Sequence, residues 1–135
     1  MDFIKVSNMP SINMSNGQEQ FVTSLTKANS LLLNSNSYGY LIKDGDLTIG
    51  FILLIKFEEK SLYIQDLRIS KLYQNKGYGT KIIKELIINS KMLSITKLTV
   101  TCKSDNHEGF KFFTKFDFVK DIEEDSYEFN YHLYL

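Results

Sequence analysis

Alternating apolar and polar residues predict three strands in the first half of the chain. They are Asp2–Val6, Tyr38–Lys43 and Leu47–Phe57. Asp44-Gly45, a dipeptide typical of tight hairpin turns, joins the second strand to the third. The third strand is apolar in both alternating sets of residues, which are Ile49, Phe51, Leu53 and Ile55 in one set and Ile52 and Leu54 in the other. We therefore expect this strand at the centre of a sheet that is covered on both faces.

Apolar residues at helical spacing predict three helices. In the first helix they are Phe21, Leu25, Ala28 and Leu32, and in the second they are Ile82, Ile83, Leu86 and Ile87. Ser15 and Gln18 form a candidate capping box before the first helix, which is expected to end near Leu33. A third helix is predicted over Asp105–Phe116, where its first residue and Glu108 form a second capping box.

Four further strands complete the predicted secondary structure. They are Ser61–Ser70, a strand through Leu98, Val100 and Cys102, a short strand beginning at Phe118 and Val119, and a final strand with Tyr127, Phe129, Tyr131 and Leu133 on one face. The element order is strand, helix, three strands, helix, strand, helix and two strands. A chain of 135 residues buries roughly two-thirds of the surface that it exposes when unfolded, so we expect one α+β domain over residues 1–135.

Composition limits the partners of this domain. Sixteen basic and sixteen acidic residues give a formal net charge of zero, so no broad attraction to nucleic acid or to an anionic membrane is expected. The single Cys102 forms no internal disulfide, and no run approaches the roughly 20 apolar residues that span a bilayer. The N-terminus shows no basic and then apolar secretory leader. We therefore expect a cytoplasmic protein that binds through specific pockets.

The segment Gln74–Thr80 carries the strongest candidate chemistry. Two glycines lie where the predicted strand Ser61–Ser70 gives way to an amphipathic helix. Backbone amides at a helix N-terminus carry partial positive charge, and glycines let a ligand approach them closely. Each charge-assisted hydrogen bond contributes roughly 1.5 to 3 kcal/mol, so several of them would hold a pyrophosphate. The segment is predicted to bind phosphate groups.

Three kinds of phosphate loop compete for this segment. A Walker loop requires Gly-Lys followed by Ser or Thr, whereas here Thr80 precedes Lys81. The dinucleotide fingerprint requires a third small residue three places after Gly79, where Ile82 stands. The remaining pattern is Gln-x-x-Gly-x-Gly, which Gln74, Gly77 and Gly79 match in full. This pattern resembles the acetyl-coenzyme A signature of the GNAT family of N-acetyltransferases.

Residues on both sides of the loop extend the resemblance. Leu67 and Ile69 stand at two apolar positions of the family pattern, and Tyr73 stands where an aromatic residue commonly precedes the loop. A second family motif is matched downstream by Asn106, Gly109, Phe112 and Phe118. Phe113 and Asp117 depart from that motif, since the family usually carries a tyrosine and a glycine there.

The resemblance implies the fold and the cofactor site. It implies a mixed, mostly antiparallel sheet of about seven strands with helices on both faces, in which the fourth and fifth strands splay apart. The pantetheine arm of acetyl-coenzyme A would lie in the gap and pair with the backbone of Asp66–Ile69, and Lys76 or Lys81 would approach the nucleotide phosphates. The expected cofactor contacts are Leu67, Arg68, Ile69, Gln74, Asn75, Lys76, Gly77, Tyr78, Gly79, Thr80, Asn106 and Phe113.

The implied chemistry is direct attack of a primary amine, on a small molecule or a protein, on the thioester carbonyl. An alkylamine titrates near 10.4, so its deprotonation at neutral pH costs roughly 4 to 5 kcal/mol unless a base assists. Asp66 is the best-placed candidate base, because Gln65 beside it cannot ionise. Phe113 replaces the family tyrosine that protonates the departing thiolate, so three outcomes stay open. Water or a relocated tyrosine, Tyr127 or Tyr131, donates the proton, or turnover is slow, or the domain binds the cofactor without catalysis.

Two other function classes and an assembly state are also considered. One alternative is a catalytically silent coenzyme A sensor or interaction domain, and another is a nucleotide-binding module unrelated to coenzyme A. No metal site is expected, since His107 and His132 are far apart in the sequence. The apolar strand Tyr127–Leu135 at the end of the chain favours a homodimer, because an uncovered strand edge invites pairing.

Overall fold

The computed structural model describes residues 1–12, 24–121 and 127–135. The strands are β1 (Asp2–Val6), β2 (Ser37–Asp44), β3 (Leu47–Glu58), β4 (Ser61–Ile69), β5 (Lys97–Lys103), β6 (Val119–Lys120) and β7 (Glu128–Tyr134). The helices are α1 (Leu25–Leu31), α2 (Tyr78–Met92) and α3 (His107–Thr114), and a short 3₁₀ turn covers Lys71–Tyr73. Over the described ranges, the predicted order of helices and strands is therefore confirmed.

All seven strands form one sheet. Their order across the sheet is β1-β2-β3-β4-β5-β7-β6, and β4 and β5 are the parallel pair in an otherwise antiparallel arrangement. The prediction of a mixed, mostly antiparallel sheet is confirmed. β7 lies between β5 and β6, so the expected uncovered edge at the last strand is wrong over the short stretch that β6 covers.

Two apolar clusters cover the two faces of β3. Ile52 and Leu54 belong to the larger cluster, which α2 and α3 join, whereas Phe51 and Leu53 belong to the smaller cluster with α1. The predicted central position of β3 and the helices on both faces are thus confirmed. Ile49 was expected on the face of Phe51, but it packs in the larger cluster. The register between β2 and β3 shifts at this point, and a bulge interrupts strict alternation.

The helix ends differ from the predicted ones. The Ser24 side chain caps α1 by accepting a hydrogen bond from the Lys27 amide at 3.2 Å. This helix ends two residues before Leu33, and the predicted capping box of Ser15 and Gln18 lies outside the described residues. Asn106, and not Asp105, caps α3, because its Oδ1 reaches the Gly109 amide at 3.0 Å.

The remaining core follows the predicted stripes with one exception. The buried face of α2 carries Ile82, Ile83, Leu86 and Ser90. Tyr131 is buried in the larger cluster, but Tyr127 precedes β7 and is 88% exposed, so it does not share the packed face. In the described part of the chain, no helix is long and apolar enough to cross a membrane.

Candidate functional site

A gap opens between β4 and β5 where their pairing stops. The two strands pair from Ser61 with Lys97 to Ile64 with Val100, and the rest of β4 pairs with β3 alone. The register between β3 and β4 shifts at Gln65, because Leu54 lies opposite Ile64 and Leu53 opposite Asp66. A bulge bends a strand and increases its twist, which accounts for the departure of β4 from β5. The expected splay is therefore present.

A cavity of about 570 Å³ fills this gap and extends to the start of α2. Its walls come from the second half of β4, the loop before α2, the end of β5 and the inner face of α3. Leu67 and Ile69 line the gap and have no β5 partner, so this part of β4 offers an open strand edge. Such an edge accepts an extended ligand by main-chain hydrogen bonding.

The two glycines of the loop serve different purposes. Gly77 is the residue before the first turn of α2 and has φ of +83°. This is the left-handed region, in which a residue with a Cβ is strained. Gly79 lies inside the helix, where an added Cβ would come within 3.1 Å of the Phe112 ring. The four residues from Gly77 to Thr80 line the cavity, and the first amides of a helix have no intrahelical acceptor. An anion in this part of the cavity would meet these free donors.

The side chain of Gln74 anchors this loop to the sheet. Its Nε2 donates a hydrogen bond to the Ile69 carbonyl at 3.0 Å, which joins the loop entrance to the end of β4. Asn75 beside it also adopts a left-handed backbone, with φ of +58°. This hydrogen bond gives the Gln74 side chain a structural role at the start of the loop.

The lysine at the loop is not the expected one. Lys115, which follows the last turn of α3, lines the cavity and donates from Nζ to the Thr80 hydroxyl at 3.0 Å. Lys76 and Lys81 do not line the cavity, and their Nζ atoms lie over the rings of Tyr73 and Tyr78 at 5.9 and 5.4 Å. The structure thus places Lys115 on the cavity wall and the two expected lysines beside it.

The wall formed by α3 is aromatic and has no hydroxyl at the position of Phe113. That side chain is buried and packs edge-to-face against Phe112 and Phe118. Tyr131 does not line the cavity and packs its ring against Phe110, while Tyr127 is exposed elsewhere. Neither of the two tyrosines considered as replacements lies at the gap.

Asp66 is a buried acid on the wall of the cavity. Its Oδ2 accepts a hydrogen bond from Arg68 Nε at 2.8 Å, and the residue is 4% exposed. Burial raises the pKa of Asp66 above its usual value of 3.8, although the hydrogen bond and charge of Arg68 act in the opposite direction. A carboxylate with a raised pKa is a better proton acceptor than an exposed one.

A polar network lies on the sheet face opposite the larger cluster. The Tyr63 hydroxyl donates to Thr101 Oγ1 at 2.7 Å, and Thr101 in turn donates to Asn130 at 2.6 Å. Thr101 also lines the cavity, just beyond the last paired residue of β5. Burial raises the pKa of the neighbouring Cys102 thiol to about 11, so this thiol stays protonated at neutral pH.

Most of the predicted site residues come together in this cavity. Those on its walls are Asp66, Leu67, Ile69, Gln74, Asn75, Gly77, Tyr78, Gly79, Thr80, Asn106 and Phe113. Arg68 and Lys76 lie outside the walls. Lining residues that the sequence analysis did not select include Val100, Thr101, Cys102, Lys111, Phe112 and Lys115. They come from β5 and α3, whose position beside β4 depends on the sheet order and not on local sequence.

Comparisons with known proteins agree with this geometry. A model of the acetyltransferase (GNAT) family matches residues 7–118 of the chain. No curated protein sequence matches it. A GNAT family acetyltransferase from Elizabethkingia anophelis with acetyl-CoA bound is similar in structure, with a TM-score of 0.76 and 16% identity over 99% of this chain and 97% of that one.

Two further solved structures are similar. The Bacillus subtilis acetyltransferase in complex with CoA has a TM-score of 0.73 and 16% identity over 99% of both chains. The PaiA N-acetyltransferase from Thermoplasma acidophilum in complex with coenzyme A has a TM-score of 0.69 and 20% identity over 83% of this chain and 72% of that one. At such low identities the likeness shows a shared fold.

Proposed function

Because the chain belongs to the acetyltransferase (GNAT) family, we propose that it transfers the acetyl group of acetyl-CoA to a primary amine of a small molecule or a protein. The observation that carries this proposal is the cavity that joins the splayed edge of β4 to the uncovered amides of α2. A thioester carrier with a diphosphate needs these two features side by side. Three similar structures were determined with acetyl-CoA or coenzyme A, which supports the choice of carrier.

The residues around the cavity fit this carrier. Gly77 has no atom within 4 Å of an added Cβ, so space is open for phosphate oxygens above the first turn of α2. In our proposal the amides from Gly77 to Thr80 and the Lys115 ammonium hold the diphosphate. The backbone of Leu67 and Ile69 pairs with the amides of the pantetheine arm and aligns the thioester in the gap.

Asp66 is proposed as the base for the acceptor. An amine must lose a proton before its nitrogen attacks, and a buried carboxylate on the cavity wall provides a place for that proton. Phe113 donates no proton to the departing sulfur, so we assign that step to water in the open gap. Because a general base contributes about 10² to 10⁴ in rate, the loss of this one carboxylate has a measurable effect.

Thiol release from acetyl-CoA, measured across a panel of amines, tests the proposal. Asp66→Asn is expected to lower kcat by about 100-fold or more for an accepted amine, with little change in the affinity for acetyl-CoA. Asp46→Asn, at an exposed position of the turn between β2 and β3, is the matched control and should keep full activity. An equal rate for Asp66→Asn and the unsubstituted protein would remove the proposed base.

A sensor that binds coenzyme A without catalysis is the second candidate, and the phenylalanine at position 113 favours it. Calorimetric titration with acetyl-CoA and a non-reactive desulfo analogue separates the two candidates. Tight binding without thiol release for any amine would support the sensor. A third candidate, a nucleotide module, predicts thermal stabilisation by a nucleoside triphosphate and none by coenzyme A. A ligand at 100 times its Kd stabilises by about 2.7 kcal/mol, which such an assay resolves.

A further inference from the structure

The single arginine of the chain is buried next to the proposed base. Arg68 is one of 16 basic residues, and the other 15 are lysines. Its side chain is 8% exposed and that of Asp66 is 1% exposed. A guanidinium carries a permanent charge in a planar fork, whereas a lysine ammonium is a flexible point charge. Arginine and lysine are therefore not equivalent at this position.

The two side chains form one hydrogen bond where two are usual. Arg68 Nε donates to Asp66 Oδ2 at 2.8 Å. In the usual bidentate fork a second nitrogen would bind the other carboxylate oxygen. Here Arg68 Nη2 and Asp66 Oδ1 are both buried and have no hydrogen-bond partner within the described ranges. The pair thus engages one carboxylate oxygen and leaves the other one buried, and the Leu67 backbone amide also lowers the pKa of this carboxyl.

The neighbouring strand places apolar side chains beside this pair. On β3, Leu53 lies opposite Asp66 and Phe51 lies opposite Arg68, and both are fully buried. The hydrogen bond and charge of Arg68 lower the pKa of Asp66, against the effect of burial. Arg68 does not line the cavity, whereas Asp66 does. The arginine can therefore affect an acceptor in the cavity only through the carboxylate.

We propose that Arg68 is a positioning residue that fixes the orientation of the buried Asp66 carboxylate through Oδ2, and that this carboxylate takes the proton of the acceptor amine. This inference rests on the proposed acetyl transfer. One N–H bond of the ammonium breaks and an O–H bond forms on the Asp66 carboxylate. The nitrogen lone pair then forms the C–N bond to the acetyl carbon, and the electron pair of the breaking C–S bond leaves with sulfur. The nitrogen gives its second proton to water in the gap, water protonates the thiolate, and the proton on Asp66 passes to water after the product departs.

The pH profile of kcat/KM tests this role, because a merely structural ion pair would leave it unmoved. Asp66 must be ionised to accept a proton, so activity falls on the acidic side. An opposite charge at this distance lowers a carboxyl pKa by about 1 to 3 units, and its loss raises the pKa again. In Arg68→Met the pH at which kcat/KM falls on the acidic side, called the acidic limb, is therefore expected to rise by about 1 to 3 units. Arg68→Lys keeps the charge without the planar fork, and its acidic limb should lie between those of Arg68→Met and the unsubstituted protein.

Controls separate this inference from the proposed function. Lys60→Met removes an exposed positive charge just before β4 and should leave the limb in place. If Arg68→Met does not fold, the Arg68→Lys profile decides alone, since its charge compensates the buried carboxylate. Acetylation with an unchanged pH profile in both arginine variants would overturn the positioning role and the assignment of Asp66 as the base, and would leave the acetyl transfer itself standing. Absence of acetylation for every amine, with acetyl-CoA bound, would overturn the proposed function and the positioning role together.

Discussion

At the scale of single residues, Gly77 and Gly79 are not equivalent although they stand two places apart in one motif. The left-handed backbone favours glycine at Gly77, and the Phe112 ring, 3.1 Å from an added Cβ, favours glycine at Gly79. The first requirement is intrinsic to the chain, because a Cβ in this conformation costs roughly 1 to 2 kcal/mol wherever it occurs. The second exists only because α3 packs against the start of α2.

Replacement of Gly77 should weaken carrier binding more than it weakens the fold. In Gly77→Val the branched side chain stands over the first amides of α2, so we expect at least a tenfold loss of acetyl-CoA affinity by calorimetry. Gly45→Val is a matched control, because Gly45 also has a positive φ, of +61°, but does not line the cavity. It should lose stability and keep affinity. Unchanged affinity in Gly77→Val would contradict the phosphate-binding role.

The carboxyl of Asp66 links stability to pH. Burial raises its pKa above 3.8, so the folded chain holds this proton more strongly than the unfolded chain. Protonation then favours folding, and the contribution of Asp66 to the free energy of unfolding falls as pH rises from the unfolded pKa through the folded one. Chemical denaturation across this range should show a smaller decrease with pH in Asp66→Asn. An identical slope in both proteins would show that the pKa is not raised.

At the scale of elements, α3 contributes more to the loop than its own motif indicates. Lys115 reaches Thr80 across the start of α2, and the nearby Lys111 also lines the cavity. Because Lys115 follows the last turn of α3, its position depends on where that helix ends and on how the helix packs. A neighbouring helix thus adds a positive charge to the cavity wall beside the loop.

Removal of this charge should weaken binding of the diphosphate. A hydrogen bond to a charged group is worth about 1.5 to 3 kcal/mol, so Lys115→Met is expected to lower acetyl-CoA affinity by roughly 10-fold to 100-fold. Its affinity should also depend less on salt, since one ionic contact is lost. Lys91→Met, in the last turn of α2 and exposed, is the control and should bind normally. Equal affinity and equal salt dependence in the two variants would exclude Lys115 from the site.

At the scale of the whole molecule, the sheet ends at β1 on one side and at β6 on the other. β6 has two residues, Val119 and Lys120, which pair with His132 and Tyr131, and the following Asp121 amide donates to the Asn130 carbonyl at 2.9 Å. Within the described part of the sheet, β7 has no second paired strand beyond this stretch, at Leu133 and Tyr134. We propose that a second copy of the chain pairs at this edge.

Light scattering over a range of concentrations tests this assembly. We expect the mass of a dimer for the unsubstituted chain. Val119 is 64% exposed on the edge strand, so Val119→Lys should yield a monomer of unchanged thermal stability, since a charge on an edge strand opposes pairing. Lys60→Met, at an exposed position away from this edge, should remain dimeric. A monomer at high concentration in the unsubstituted chain would remove the proposal.

Local sequence was sufficient for the elements and for the glycine turn that precedes α2. The periods of apolar residues predicted β3 as a central strand and the buried face of α2, because burial repeats with the geometry of each element. Gly77 was recognisable because a left-handed residue at a helix start is a property of a few consecutive residues. The predicted cap of α3 was wrong, because Asn106 and not Asp105 accepts the hydrogen bond from the Gly109 amide. Either side chain can reach a first-turn amide, so the local sequence does not distinguish the two.

Contacts between distant segments were decided by the folded sheet. The bulge at Gln65, the approach of Lys115 to Thr80 and the placement of Thr101 at the gap all depend on which strands and helices become neighbours. The single hydrogen bond between Arg68 and Asp66 likewise depends on how buried side chains orient. Residue types and spacings encode local geometry, whereas these contacts arise from the packing of elements that lie far apart in the chain.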